Sequence, residues 1–303
     1  MRFTLYFILL LSFINAKEPI SPLEMIPYDQ QKAKLGKELF SDPILSQDNT
    51  VSCSTCHILS AGGDNDIPFS FGIKGQMGDM NSPTVFNSAL NFKQFWNGRA
   101  NNLSEQAHQV IENPVEMGNN IYDIVKRLRR DKHYSKQFYS IYKEELEKKH
   151  LVEVLVEFER ALITLDAPFD LYLKGENSAI SEQAKRGYQL FKSKGCVLCH
   201  NGRNVGGNLF NRFGIHEENH KSKSLGRYDV TKKEEDKYVF KVPSLRNVEL
   251  TAPYMHDGRA KDLHEAVKIM THYQLGREMK KEDIDAIVEF LKSLTGKLPQ
   301  ILR

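Results

Sequence analysis

Apolar residues recur at three- and four-residue spacing over 28–40, 104–112, 121–130, 134–165, 179–194, 262–272 and 281–294, the period of a helix that buries one face. Ser104, Ser181 and Asp262 stand where a helix-starting side chain accepts the first free backbone N–H groups. Gly- and Asn-rich stretches at 61–82 and 201–227 predict long loops, and alternating strand patterns are scarce. The pattern predicts an all-α fold with long loops.

The helical pattern occurs twice. Gly36-Lys37-Glu38-Leu39-Phe40 has its counterpart in Gly187-Tyr188-Gln189-Leu190-Phe191. Further along, Pro83-Thr84-Val85-Phe86-Asn87 matches Pro243-Ser244-Leu245-Arg246-Asn247 at an offset of 160, and the same offset pairs Gly98-Arg99-Ala100 with Gly258-Arg259-Ala260 and Leu103-x-Glu105 with Leu263-x-Glu265. An internal duplication follows, with one domain over 17–165 and a second over 166–303.

Residues 1–16 do not belong to either unit. Arg2, the apolar run from Leu5 to Ile14 and the small pair Asn15-Ala16 predict a secretory signal peptide cleaved after Ala16. The run is shorter than the roughly 20 residues a membrane-spanning helix needs, so no integral span is expected after cleavage. The expected location is the periplasm. The 42 Lys and Arg against 39 Asp and Glu leave +3, or +2 once Arg2 is removed, which argues against a nucleic-acid partner. The charge runs at 143–149 and 232–237 mix both signs and read as solvated face or loop.

Four cysteines in an exported chain ordinarily suggest two disulfides. Here Cys53-Ser54-Thr55-Cys56-His57 and Cys196-Val197-Leu198-Cys199-His200 use every Cys in two C-x-x-C-H motifs. In that motif the thiols form thioethers to haem and the adjacent His ligates the iron. A redox C-x-x-C followed by a chance His is a poor competitor when the motif occurs twice. Two covalently bound c-type haems are expected, one per unit, in two cytochrome c-like domains.

The sixth ligand of each iron decides between electron transfer and catalysis. Met270, on the helical stretch after the second motif, is a candidate, and its counterpart at the offset of 160 is Val110, which cannot bind iron. Spacing alone leaves Met255, Met279, His256, His264 and His272 as competitors.

Over nearly all of the mature chain the sequence resembles the bacterial dihaem cytochrome c peroxidases. The segments that carry the likeness are LGKELFSDPILSQDNTVSCSTCH, SPTVFNSALNFKQFWNGRANNLSEQA, NPVEMG, RGYQLFKSKGCVLCHNG and VPSLRNVELTAPYMHDGRAKDLHEAVKIMTHYQLG. The resemblance implies a peroxidatic, low-potential haem in the first domain and an electron-transferring, high-potential haem in the second, with His57 and His200 as proximal ligands and Met270 on the second iron. It implies Glu116 as the distal acid/base with Gln106 beside it, Trp96 as the aromatic residue between the haems, and a calcium ion held by Asn81, Thr251 and Pro253. The implied reaction takes hydrogen peroxide to water with electrons from a small periplasmic cytochrome c, and a homodimer is compatible with it.

One position departs from the family. Many members carry a His sixteen residues after the first haem His that caps the peroxidatic iron at rest; here it is Ile73, which has no lone pair. Lys74, Met77 and Met80 in the same loop are the possible substitutes. Two other readings of the chain remain: a dihaem electron carrier, which has no use for Glu116 and Gln106, and a relative of the dihaem oxidase that matures a tryptophan-derived cofactor, which lacks the Met ligand.

Overall fold

The computed structural model describes residues 18–217 and 223–303, so the leader assigned to 1–16 lies outside the described residues. The first half contains α1 (Gln30–Ser41), α2 (Cys53–Cys56), α3 (Leu103–Glu112), α4 (Ile121–Arg130), α5 (Lys132–Tyr142) and α6 (Lys148–Ala161). The second contains α7 (Pro168–Leu173), α8 (Glu182–Ser193), α9 (Tyr228–Thr231), α10 (Leu263–Ile269) and α11 (Lys281–Lys292). Two three-residue strands, β1 (Phe210–Arg212) and β2 (Val239–Lys241), pair antiparallel with Phe210 opposite Lys241. The fold is all-α, with two cytochrome c-like units.

The expected helix over 134–165 is two helices. Lys143 adopts a left-handed conformation with φ 58°, its N–H closes on the Tyr139 carbonyl, and α5 ends there. Buried Leu146 pins the connection, and Glu147 with His150 caps the start of α6. Periodicity missed the break because no Gly or Pro marks it, and the mixed-charge run is the loop its composition suggested. Ser181 and Asp262 cap α8 and α10 as expected, whereas α3 starts at Asn102 rather than Ser104; the Asn102 side chain accepts the Glu105 N–H at 2.9 Å. At six residues and starting on a proline, α7 is too short for a periodic signal.

Each half is built on one close helix crossing. A Cβ on Gly36 of α1 would lie 1.9 Å from the Val154 carbonyl oxygen of α6, and one on Gly187 of α8 would lie 1.8 Å from that of Ala286 on α11. Only glycine lets these backbones touch. Phe158 and Phe290 occupy equivalent places beside the two crossings. One core gathers Leu35, Leu39, Ile111, Leu128, Phe138 and Leu151; the other gathers Phe169, Tyr188, Phe191, Ile287, Phe290 and Leu294.

The halves interlock about an approximate twofold relation. The Asn81 N–H donates to the His256 carbonyl at 2.9 Å, and the Lys241 N–H donates to the Trp96 carbonyl at 2.7 Å. Residues 81 and 241, and 96 and 256, are each 160 apart, so the two bonds are one contact made in both directions. Asn87 and Asn247, both left-handed at φ 60° and 59°, send their amides to the same Thr164 hydroxyl at 2.8 and 2.9 Å. The ends of the chain cross over as well. Ile20 is buried in the second core and the Ser21 carbonyl accepts from Arg246, while Ile301 and Leu302 pack beside Phe40 and Phe158 of the first half. Arg246 and Asp170, both fully buried, form an ion pair at 2.7 Å that anchors the N-terminal crossover, since Asp170 also accepts the Leu23 N–H.

Candidate active site

Each C-x-x-C-H motif follows the helix that crosses at glycine, so the crossing sets where the thiols and the imidazole stand. In the first half the motif is α2 itself, capped reciprocally by Ser52 and Thr55, and the His57 N–H closes on the Cys53 carbonyl at 2.9 Å. His57 Nδ1 donates to the Gly63 carbonyl at 3.0 Å, which leaves the Nε2 lone pair for a metal. In the second half the motif forms a 3₁₀ turn over Cys196–Leu198, and His200 closes on the Cys196 carbonyl at 3.0 Å. Phe40 lies 6.4 Å from the His57 ring and Phe191 lies 6.4 Å from the His200 ring, so the duplication extends to the imidazole surroundings.

Burial sets the protonation of both motifs. It pushes His57 and His200 down to about 4, keeping both imidazoles neutral, as a metal ligand must be. It pushes the Cys53 thiol up to about 12 and that of Cys196 up to about 11, which makes them poor thiolates, and none of the four cysteines is in a disulfide.

The second motif opens on a largely apolar cleft. Cys196, Cys199 and His200 line it together with Met270, Val267 and Phe240. An apolar cleft that presents two thiols, an imidazole and a thioether suits a c-type haem with His/Met ligation. Met270 is where α10 gives way to a π-helical turn, Met270–Gln274, a departure from α geometry frequent at functional sites. Of its competitors, Met255 and His256 also line the cleft, with the His256 ring stacked on Phe240 at 4.0 Å. Met279 packs on the core, His264 meets Asp285 at 3.1 Å, and His272 is held at the surface between Glu217 and Glu278.

In the first half the turn after α3 brings polar groups together. Asn113 ends α3 and folds the next residues back: the N–H groups of Glu116 and Gly118 both reach its carbonyl, and its side-chain amide donates to Glu116 Oε1 at 2.7 Å. The Arg99 guanidinium is 3.7 Å from the same oxygen, lies over the Phe95 ring and donates to Gln109. Burial pushes the Glu116 carboxyl above its ordinary value, opposed by Arg99 and the Asn113 amide. The Glu116 charge adds to the upward push of burial on the Cys53 and Cys56 thiols, so the carboxylate lies within electrostatic reach of the first motif. Gln106, on α3, has a buried side-chain oxygen with no hydrogen-bond partner, an acceptor that suits a bound molecule carrying a proton.

Trp96 comes from the first half yet lines the second cleft. Its indole N–H donates to the Asn81 carbonyl at 2.8 Å, and its ring meets His256 edge-on at 6.3 Å. Asn81 is buried, and its side-chain amide donates to the Ile67 and Pro68 carbonyls. Pro253 forms the cis bond with Ala252, and Thr251 immediately precedes that pair, a few residues before the His256 carbonyl that Asn81 reaches. Among the described residues no three His, Cys, Asp or Glu side chains gather as a metal site, so a cation held by Asn81, Thr251 and Pro253 would rest on neutral oxygens.

Ile73 is 2% exposed and packs in the first core with Met117. Its N–H donates to the Glu116 carbonyl at 2.9 Å, and a Cβ on Gly72 would lie 1.9 Å from the Val115 carbonyl oxygen, so this loop is fastened to the turn that carries Glu116. Lys74 and Met77 are exposed, and Met80 is half-buried.

Sequence reasoning singled out neither Arg99 as a site residue nor Asn113. The duplication held the signal for Arg99. Its counterpart Arg259 is paired with Asp257 at 2.7 Å, and the residue matching Asp257 is the neutral Asn97, which leaves Arg99 free to reach Glu116.

Two paired haem motifs, one with a thioether in its cleft and the other with an acid/base group beside it, define a two-haem c-type cytochrome built as an enzyme. The family model of di-haem cytochrome c peroxidase matches residues 30–178, and that of cytochrome c matches residues 184–295. The chain is 44% identical over 288 residues to the cytochrome c peroxidase Ccp of Escherichia coli (strain K12), covering 93% of this chain but only 62% of that longer protein. It is 43% identical over 287 residues to the cytochrome c551 peroxidase of Nitrosomonas europaea, covering 94% of this chain and 86% of the relative. The solved structure of a MauG-like protein associated with microbial copper homeostasis matches with a TM-score of 0.81 at 25% identity, over 93% of this chain and 95% of that one. The chain belongs to the di-haem cytochrome c peroxidase family, and its class is that of an oxidoreductase.

Proposed function

We propose that the chain is a periplasmic peroxidase that reduces hydrogen peroxide to water with electrons from a small c-type cytochrome. The observation that carries the reading is the asymmetry of the duplicated frame: the Glu116–Arg99 pair lies within electrostatic reach of the first motif and Gln106 holds an unpaired buried oxygen on α3, while Met270 lines the cleft of the second. Cys53, Cys56 and His57 would hold one haem, and Cys196, Cys199, His200 and Met270 the other, in domains spanning 17–165 and 166–303. When bound, the two haems supply the redox chemistry, delivering two electrons that with two protons convert hydrogen peroxide to two waters.

The chain's own residues supply the proton path. Ionised Glu116 accepts a proton from one peroxide oxygen and returns it to the other, so that the second oxygen leaves as water. Asn113 holds the carboxylate by one hydrogen bond, and Arg99 favours its ionised form against burial. Gln106 offers its unpaired oxygen to a peroxide O–H. Trp96, which lines one cleft while belonging to the other half, is suited to couple the two sites, and Asn81, Thr251 and Pro253 are suited to hold calcium at the junction.

The periplasmic assignment rests on the leader pattern in 1–16 and on the two haem-attachment motifs. Because a MauG-like structure shares the fold, the cofactor-maturing oxidase is the second reading; Met270 in the cleft favours the peroxidase. The test is peroxide-dependent oxidation of a reduced monohaem cytochrome c by the purified chain, whose mass should equal the mature polypeptide plus two haems. Two covalent haems without peroxide turnover would leave the electron carrier or the oxidase instead.

A further inference from the structure

The Lys241 side chain is unlike the rest of the wall it belongs to. It ends β2 opposite Phe210, is 5% exposed, and lines the second cleft with Cys196, Cys199, His200 and Met270. Its backbone is fixed by the bond to the Trp96 carbonyl. Among the described residues no carboxylate pairs with its ammonium. Burial alone pushes that ammonium down to about 8. A buried cation is stable only with a counter-charge, and the chain offers none here. The other cation of the cleft, Arg212, is engaged outward, donating to the Glu235 carbonyl at 2.9 Å.

A c-type haem brings its own anions, the propionate carboxylates, and these too need a partner when the porphyrin enters an apolar cleft. We infer that Lys241 is the counter-cation of a propionate of the second haem, a positioning residue built into the wall of the cleft. The inference rests on the two-haem reading of the proposed function. The duplication sharpens it: the matching residue in the first half is the neutral Asn81, so the second half alone carries a fixed positive charge at this point. A fixed cation beside a haem disfavours the more positive, oxidised iron, so Lys241 adds to the Met270 thioether in raising the second midpoint potential.

The test uses the mature protein carrying both haems, with Lys241→Met and Lys241→Arg, followed by mass, spectroelectrochemical titration and resonance Raman of the propionate bending modes. The pairing predicts that Lys241→Met lowers the midpoint of the second haem and shifts a propionate mode, that Lys241→Arg restores both toward wild type, and that the midpoint of the first haem stays in place. Loss of the second haem alone from Lys241→Met, with retention in Lys241→Arg, supports the pairing equally. Should Lys241→Met fail to fold, Lys241→Gln is read in the same way. An unchanged midpoint and unchanged propionate modes in a fully loaded neutral variant overturn the inference. A wild-type chain whose mass lacks two haems refutes the two-haem reading instead.

Discussion

Replacing Glu116 by Gln separates proton transfer from everything else the residue does. The substitution keeps the size and one acceptor oxygen, so the 2.7 Å hydrogen bond from Asn113 can be retained, and the backbone carbonyl that receives the Ile73 N–H is untouched. The attraction to Arg99 at 3.7 Å is lost, but for a partly exposed pair that is worth about 0–1 kcal/mol. Loss of acid–base help costs about 10²–10⁴ in rate, equivalent to roughly 3–5 kcal/mol of barrier. The catalytic effect therefore outweighs any structural one, and kcat should collapse with both haem spectra and the thermal midpoint nearly intact. A second arm uses pH. Glu116 must be ionised to accept a proton, so kcat/KM falls as pH drops through its pKa; Arg99 opposes the upward push of burial, so Arg99→Gln should move that acid limb to higher pH. The assay is steady-state oxidation of reduced cytochrome c by peroxide across the acid range. Wild-type turnover in Glu116→Gln, or an acid limb unmoved by Arg99→Gln, would refute the assignment.

Met270→Ala should lower the high-potential midpoint in a redox titration while Met255→Ala leaves it in place; the reverse result moves the ligand to Met255. Because Ile73 is buried in the core and bonded to the Glu116 carbonyl, the fully oxidised protein should show one high-spin haem by electron paramagnetic resonance and turn over peroxide without a lag; two low-spin signals with a lag removed by reductant would mean that Lys74, Met77 or Met80 supplies a ligand. Gly187→Ala places a methyl 1.8 Å from the Ala286 carbonyl oxygen and should destabilise the chain by about 1–3 kcal/mol in thermal or denaturant unfolding. If calcium bridges Asn81, Thr251 and Pro253, chelation should lower peroxide turnover reversibly, and Asn81→Ala should abolish the response to added calcium.

The helices that one apolar face defines were legible from spacing, and Ser181 and Asp262 were legible as caps because a short polar side chain before an apolar period has little else to do. The join at Lys143 was not: a left-handed lysine leaves no mark in composition, and two amphipathic helices in phase read as one. Haem attachment was legible because C-x-x-C-H has one dominant chemistry. Glu116, Gln106 and Trp96 came from family likeness, and no spacing rule would have separated them from a solvent-exposed acid, an amide and a core ring. Lys241 stayed hidden for a different reason. A lysine in a Lys-rich chain reads as surface, and only its place in the folded cleft reveals a cation without a partner.

The duplicated frame sorts structural from chemical roles more sharply than either half does alone. Outside the two C-x-x-C-H motifs and the Arg99/Arg259 pair, the residues on which the two halves agree hold the scaffold: Gly36 with Gly187 sets the helix crossings, and Asn87 with Asn247 ties both halves to Thr164. Where the offset of 160 breaks, chemistry collects. Val110 faces Met270 in the comparison, Gln106 faces Ala266, Trp96 faces His256, Asn97 faces Asp257 and Asn81 faces Lys241. Of these residues Trp96, His256, Lys241, Ala266 and Met270 line the second cleft, and Gln106 carries the unpaired oxygen on α3. Exchanging Met270 for its counterpart valine, or Gln106 for its counterpart alanine, should alter ligation or proton transfer while the fold survives, because the Met270 thioether and the unpaired Gln106 oxygen carry no hydrogen bond of the frame. Placing a side chain at Gly36 or Gly187 should instead weaken folding of its own half, because both crossings leave no room for even one methyl group.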